Sequence, residues 1–166
     1  MKQEKTDILI IGLGLAGMTA AITAAGTGKK VTIITKTKNL SSGSTPWAQG
    51  GIVYKGLNDS TEKLKNDILK AGADHCWEEA VDHLCKHGPR LVKKILIDTL
   101  GAEFDKKEGS LSRVSEGAHS EPRVIYKEDQ TGQSIHQAAL ARLQQLDNVN
   151  ILVDHTAIDL LTFSHH

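Results

Sequence analysis

Four apolar residues in a row, Ile8–Ile11, run straight into a glycine-rich turn. Residues 7–11 have the length and continuity of a strand buried on both faces. Gly12-Leu-Gly-Leu-Ala-Gly17 follows at once. The alanine-rich stretch 18–27 then predicts a helix, with Gly28 as its stop. Val31-Thr-Ile-Ile-Thr35 predicts a second strand rich in β-branched residues. Strand, glycine turn, helix, strand is the opening βαβ unit of an α/β fold: a Rossmann-like, doubly wound and mainly parallel sheet.

Beyond that unit, residues 36–56 read as a long polar loop containing glycines. Residues 59–73 show helical spacing, with Leu64, Ile68 and Ala71 on one face. A helix over 77–86 is predicted to break at Gly88-Pro89, and another to cover 90–100 with Leu91, Ile95 and Asp98 aligned. Residues 101–109 read as a short strand and turn, and residues 123–126 as a strand. Thr131 or its neighbour is expected to cap a helix running to Leu146, with Ile135, Ala139 and Leu143 as its stripe. Strands are predicted over 150–153 and 157–163.

Composition narrows the class. The chain has 166 residues, 39% apolar and 24% charged, with 20 basic and 20 acidic side chains that cancel. That balance argues against nucleic acid as a partner. No apolar run is long enough to span a bilayer, and no signal-peptide core precedes the first strand. Both features point to a cytoplasmic protein with no membrane partner. Cys76 and Cys85 fit no CxxC spacing and read as free thiols in a reducing compartment. His83 and His87 share a helix face near Cys85, but no HExxH or third ligand accompanies them. They read as a solvated face, and no metal is expected.

The chemistry begins with Gly12, Gly14 and Gly17, a GxGxxG motif between a strand and a helix. The first glycine allows the tight turn, the second lets backbone approach a pyrophosphate, and the third lets the helix pack on the strand. The helix N-terminus then offers N–H groups and a positive dipole end to phosphates. The usual ribose-binding acid is missing: no Asp or Glu occurs from Ile8 through Asn58, and Thr35-Lys36 stands where it would be. Lys29, Lys30, Lys36, Lys38 and Lys55 lie in the same stretch, which suits a dinucleotide's phosphates. The segment Ser41-Ser-Gly-Ser-Thr-Pro-Trp-Ala-Gln-Gly-Gly51 offers amides and hydroxyls that could follow a pyrophosphate and line a flat ring. A nicotinamide enzyme has no need of such a loop, and a plain linker rarely carries a Trp.

Ser44-Thr-Pro-Trp-Ala-Gln-Gly-Gly51 resembles the flavin loop of the succinate dehydrogenase and fumarate reductase flavoproteins, and within them that of the L-aspartate oxidases. Glu116-Gly-Ala-His-Ser120, Arg123-Val-Ile-Tyr126 and Asp129-Gln-Thr-Gly132 are similar to a second motif of those oxidases. Thr35-Lys36 agrees, because that group often carries a hydroxyl where other flavoproteins have Glu. The resemblance extends over nearly the whole chain and implies one FAD-binding domain over residues 1–166. The capping domain, a helical tail and further substrate-binding His and Arg residues are then expected beyond the equivalent of this C-terminus.

What the resemblance implies chemically is oxidation of L-aspartate to iminoaspartate by hydride transfer to FAD. Oxygen or fumarate would reoxidise the flavin. The reaction opens quinolinate and NAD synthesis, and the resemblance implies functional coupling to quinolinate synthase. Gly12, Leu13, Gly14, Leu15, Ala16, Gly17, Thr35 and Lys36 would contact FAD. Ser44, Thr45, Pro46, Trp47, Ala48, Gln49, Gly50 and Gly51 would run along it, and Ala157 would meet its adenine end. Glu116 matches an acid near the substrate's amino group, with His119 as a second candidate catalytic residue in the same motif or, alternatively, a structural hydrogen-bonder. Relatives that oxidise succinate attach FAD through a His that aligns with Ser44, so a non-covalent flavin is expected. Two other readings compete: a fumarate reductase or soluble succinate dehydrogenase subunit, and a non-catalytic nucleotide-binding remnant.

Overall fold

The computed structural model describes residues 3–73 and 75–162. In chain order the elements are β1 (Ile8–Ile11), α1 (Leu15–Ala25), β2 (Val31–Ile34), a single 3-10 turn (Thr45–Trp47), β3 (Ile52–Val53), α2 (Thr61–Ala71), α3 (Glu78–Leu91), a π-helical stretch (Val92–Thr99), β4 (Lys106–Lys107), β5 (Ser110–Leu111), β6 (Val124–Ile125), α4 (Thr131–Gln144) and β7 (Val149–Leu152). They divide into two compact units, Met1–Pro46 with His136–His166, and Trp47–Ile135.

The first unit is built on a parallel sheet in the order β1-β2-β7. Val31 pairs with Ile8 on one side and with Val149 on the other. The predicted adjacency of the opening strands with the strand near Ile151 is what the structure has. Val31 and Ile33 of the central strand are fully buried, as a strand covered on both faces requires. Helix α1 packs on β1 and β2 through Met18, Ala21 and Ala25, whose spacing puts them on one face. Asn148 joins the return strand to the end of that helix: its side-chain amide donates to Ala25 O at 2.9 Å and to Lys29 O at 2.8 Å. His136, on α4, is 2% exposed with neither ring nitrogen in a full hydrogen bond. Burial pushes its imidazole below the usual range, and the Leu40 backbone counters that only in part.

The second unit gathers two short antiparallel pairs, β3 with β6 and β4 with β5. Leu64, Val81 and Cys85 form a buried cluster where α2 meets α3, with Ile68 and Cys76 packed against it. Deeper still is Arg123, with no exposed surface. Its Nε donates to Asp59 Oδ2 at 2.8 Å and its NH2 to Asp59 Oδ1 at 2.7 Å. Its NH1 donates to Asp67 Oδ2. Asp67 also accepts from the Ser120 N–H and the Ser120 hydroxyl, both at 2.8 Å. Burial pushes the Asp67 carboxyl up, but the Arg123 hydrogen bond, the two Ser120 donors and the Arg123 charge outweigh it and bring it to about 2. The Arg123 hydrogen bond likewise holds Asp59 below the usual carboxylate range against the effect of burial.

Several sequence expectations need correction. Gly88-Pro89 does not break the helix, because α3 runs through Pro89 to Leu91. The backbone adapts just beyond it: residues 92–99 adopt the wider π form, with Leu100 N bonding Ile95 O at 2.9 Å. The wider turn re-phases the buried face, so Val92, Leu96 and Leu100 are buried while Leu91 and Asp98 are exposed. On α2 the buried neighbour of Leu64 is Asp67, and Ala71 is exposed. Thr131 is the first residue of α4, and its hydroxyl accepts from Lys127 N at 2.9 Å in the preceding loop. Residues 157–162 form no strand, and Phe163 lies outside the described residues. Among the described residues no helix is long and apolar enough to cross a membrane.

The Asp67 carboxyl, depressed in the folded state from 3.8 to about 2, stabilises the fold at neutral pH. That contribution is complete above pH 4 and is lost as pH falls through about 2, on the order of 2 kcal/mol in all. Asp67→Asn should therefore unfold more readily at pH 7 in urea, and the gap from the unmutated protein should close between pH 4 and 2. A gap that stays constant across that range would remove the charge from the explanation.

Candidate functional site

In the first unit a cleft of about 470 Å³ opens at the carboxyl ends of β1, β2 and β7. Ligands of open α/β sheets bind at this end of the strands. Gly12, Leu13 and Gly14 form one wall, Thr35 and Lys36 another, and Ser42, Gly43 and Ser44 a third. His155, Thr156 and Ala157 close it. No carboxylate lines it, and Lys36 supplies a positive charge.

The three motif glycines divide the work. Gly12 has φ +101°, a conformation that L side chains rarely adopt, and it turns the chain from β1 toward α1. A Cβ on Gly17 would overlap Gly12 O, so helix and strand approach as they do only without a side chain there. A Cβ on Gly14 would meet nothing nearer than Thr45 Oγ1 at 3.9 Å. The N-terminus of α1 therefore faces open space, with no side-chain cap from Gly14 and no acid in the first turn. Thr45 Oγ1 accepts from Leu15 N at 3.2 Å and ties the Ser/Gly segment to the helix start. Free amide ends, a positive dipole end, one lysine and no carboxylate form a cradle for a phosphate-bearing ligand.

The second unit has its own small concavity, about 230 Å³, lined by Gln49, Gly50, Gly51, Val114, Glu116, Tyr126 and Glu128. Gly51 is forced by close approach: a Cβ would overlap Val124 Cγ1 and lie 2.6 Å from Ile125 O. Glu116 sits on a turn closed by His119 N to Glu116 O at 3.2 Å, with Gly117 at φ +54°. Its Oε2 lies 3.9 Å from where a Gly50 Cβ would stand. The far end of the turn is anchored in the core. His119 Nδ1 is 2.9 Å from Arg123 NH1, and Ser120 is held by Asp67. Asp59, Asp67 and Asp105 each have a cation beside them, whereas Glu116 has none among the described residues. An uncompensated carboxylate on a concave surface favours a cationic group such as an ammonium.

Gly12, Leu13, Gly14, Thr35, Lys36, Ser44 and Ala157 thus meet in the cleft of the first unit. Leu13 contributes backbone, its side chain being buried. Leu15, Ala16 and Gly17 form the first turn of α1 behind it. Gln49, Gly50 and Gly51 meet Glu116 in the second concavity. Thr45, Pro46 and Trp47 form the 3-10 turn, with Trp47 exposed, and Ala48 O accepts from Gly132 N at 2.8 Å. Sequence reasoning did not single out Leu40, His155 and Thr156 as lining residues. The rule that ligands sit beyond strand C-termini pointed to His155 and Thr156, directly after β7.

A family model described as FAD binding domain matches residues 7–165. The L-aspartate oxidase of Halobacterium salinarum is 41% identical over 157 residues, which is 95% of this chain and 30% of that protein. The chloroplastic L-aspartate oxidase of Oryza sativa subsp. japonica is 39% identical over 158 residues, 94% of this chain and 24% of that protein. The chain therefore spans less than a third of the length of these relatives. Among solved structures, the Sdh1 complex of Mycobacterium smegmatis in its apo form superposes with a TM-score of 0.82 over 93% of this chain and 28% of its own, at 24% identity. A quinol-fumarate reductase with menaquinol molecules gives 0.85 over 98% of this chain and 28% of its own, at 23% identity. These likenesses show a shared fold.

The glycine geometry separates two substitutions. Gly17→Ala should destabilise the protein by about 1–3 kcal/mol, as overpacking does, because backbone must move. Gly14→Ala has room and an ordinary conformation, so its melting temperature should be unchanged while FAD affinity falls at least tenfold. Calorimetry and flavin titration on both variants check this. Unchanged FAD affinity in Gly14→Ala would mean that no ligand approaches that backbone.

Proposed function

The chain belongs to the FAD binding domain family, and from that membership we propose that it is the FAD-holding part of an L-aspartate oxidase. The observation that carries this is Glu116, a carboxylate without a cation partner, on a concavity shared with the Gly50-Gly51 end of the Ser/Gly loop. Two L-aspartate oxidases about 40% identical over nearly the whole chain support it. The substrate differs from succinate by one ammonium group. A carboxylate at Glu116 would bind that group and reject the plain dicarboxylate. The product is iminoaspartate, with oxygen or fumarate as the final acceptor, in quinolinate and NAD synthesis in the cytoplasm.

Bound FAD would supply the hydride acceptor that converts the substrate amine to an imine. The chain's own residues do the rest. Gly12, Leu13 and Gly14 would present backbone to the pyrophosphate at the start of α1, and Lys36 would add a positive charge. Thr35 takes the ribose-facing place at the end of β2 and offers a hydroxyl where a carboxylate is usual. Residues 44–51 would track the flavin, and Ala157 the adenine end. On this reading residues 1–166 act as one FAD-binding domain, completed by further parts such as those of its longer relatives.

Glu116→Gln in the FAD-loaded holoenzyme should lower kcat/KM for aspartate by a factor equivalent to about 2–5 kcal/mol. Fumarate reduction should change far less. Equal losses in both directions would reduce Glu116 to a support of the loop. The mode of flavin attachment gives a second check. Ser44 has no imidazole nitrogen, and no histidine precedes His75. Acid precipitation of the holoprotein should leave the yellow colour in the supernatant, and a yellow pellet would overturn a dissociable flavin.

A further inference from the structure

The Arg123 cluster bears on His119 through donor arithmetic. A guanidinium has five N–H donors and no acceptor. Nε and one N–H of NH2 are spent on the two oxygens of Asp59. NH1 serves both Asp67 Oδ2 and His119 Nδ1. An arginine that only donates can bond Nδ1 only if that nitrogen carries the lone pair. The hydrogen of the neutral ring then sits on Nε2. Nε2 has no hydrogen-bond partner among the described residues, and the ring is half-buried. The same turn carries Glu116, four positions before Ser120, and both ends of it are tied.

We infer that Arg123 is a positioning residue that fixes His119 in the Nε2–H form and so leaves that N–H to bind a substrate carboxylate. The inference rests on the aspartate oxidase reading, because it takes the Glu116 turn to face the substrate. One turn would then read both charges of an amino acid: Glu116 its ammonium, His119 a carboxylate oxygen. Asp59 and Asp67 act behind it by denying Arg123 any other orientation. Bidentate capture by Asp59 fixes the plane of the guanidinium, so NH1 can point only toward Asp67 and Nδ1. A lysine at 123 has no such fork.

Two readouts test this without depending on turnover. In the holoenzyme labelled with 15N-histidine, long-range 15N–1H correlation should show His119 with an unprotonated Nδ1 and a protonated Nε2. His119→Asn identifies the signals by their loss, and Arg123→Lys should shift the Nδ1 resonance. A protonated Nδ1 would overturn the role given to Arg123. The second readout is calorimetric binding of succinate, a dicarboxylate with no ammonium. Asn keeps an acceptor where Nδ1 stood and lacks the Nε2 donor. His119→Asn should therefore weaken succinate at least tenfold, the usual scale of a hydrogen bond to a charged group. Glu116→Gln should bind succinate no less tightly, because it removes the carboxylate that repels a plain dicarboxylate. Unchanged succinate affinity in His119→Asn would show that His119 only holds the loop. If the unmutated holoenzyme fails to oxidise aspartate, the functional reading falls, while the resonance and succinate results still decide the roles of Arg123 and His119.

Discussion

Arg123 stands fully buried between two carboxylates, and its charge is what brings Asp59, the face of α2 and the turn at 116–120 to one place. A buried ion pair is poor evidence for net stability, since desolvation offsets much of the attraction. Its value here is directional. Each of the three partners is fixed by hydrogen bonds with set geometry, and removing one would leave a buried N–H of Arg123 without its acceptor. Hydrophobic burial could not do the same work, because residues 115–121 include no large apolar side chain. A polar turn can be held still only by polar bonds, and Asp67 supplies three acceptor contacts at a single oxygen.

The first unit rests on a steric constraint instead. Gly12 and Gly17 let α1 start immediately beyond β1, with Gly12 O where a side chain would otherwise be. That closeness aims the helix N-terminus at the cleft rather than past it. Thr45 then completes the geometry by bonding Leu15 N, which carries the Ser/Gly segment to the same spot. The cleft gains its affinity for negative charge from backbone and one lysine, with no carboxylate to oppose it.

How much of this was legible in the sequence follows from the range of the interactions. β1, β2 and the strand near Ile151 could be read because a strand buried on both faces leaves an unbroken apolar run. The glycine motif could be read because its meaning depends on a strand before it and a helix after it. Pro89 misled because its effect on a helix is usually local, whereas here the wider turns of residues 92–99 carry the helix on. The helical spacing gave Ala71 an inward place and did not mark Asp67, which the structure buries. Nothing within α2 signals that an arginine 56 positions away needs a carboxylate on that face. His119 was legible as a member of a motif, but its tautomer depends on that same distant arginine. Long-range electrostatic pairing leaves no period in a sequence, so its consequences for the site appear only in three dimensions.

Charge is distributed with a purpose that the zero net value hides. Residues 8–58 carry five lysines and no acid, and the first acid after them, Asp59, is spent at once on Arg123. Asp67 shares that arginine, Asp105 has Lys127 at 3.1 Å, and Glu121 has Lys63. Each of these carboxylates is matched by a cation that also holds it in place. Glu116 is the exception among the acids around the second concavity, since Glu128 too lies 3.6 Å from Lys127. Of the two acids that line the second concavity, Glu128 has Lys127 beside it, so the field there is set by Glu116. Selection for an ammonium over a plain dicarboxylate needs that condition, because a second unpaired carboxylate would attract any cation, and a nearby lysine would silence the first.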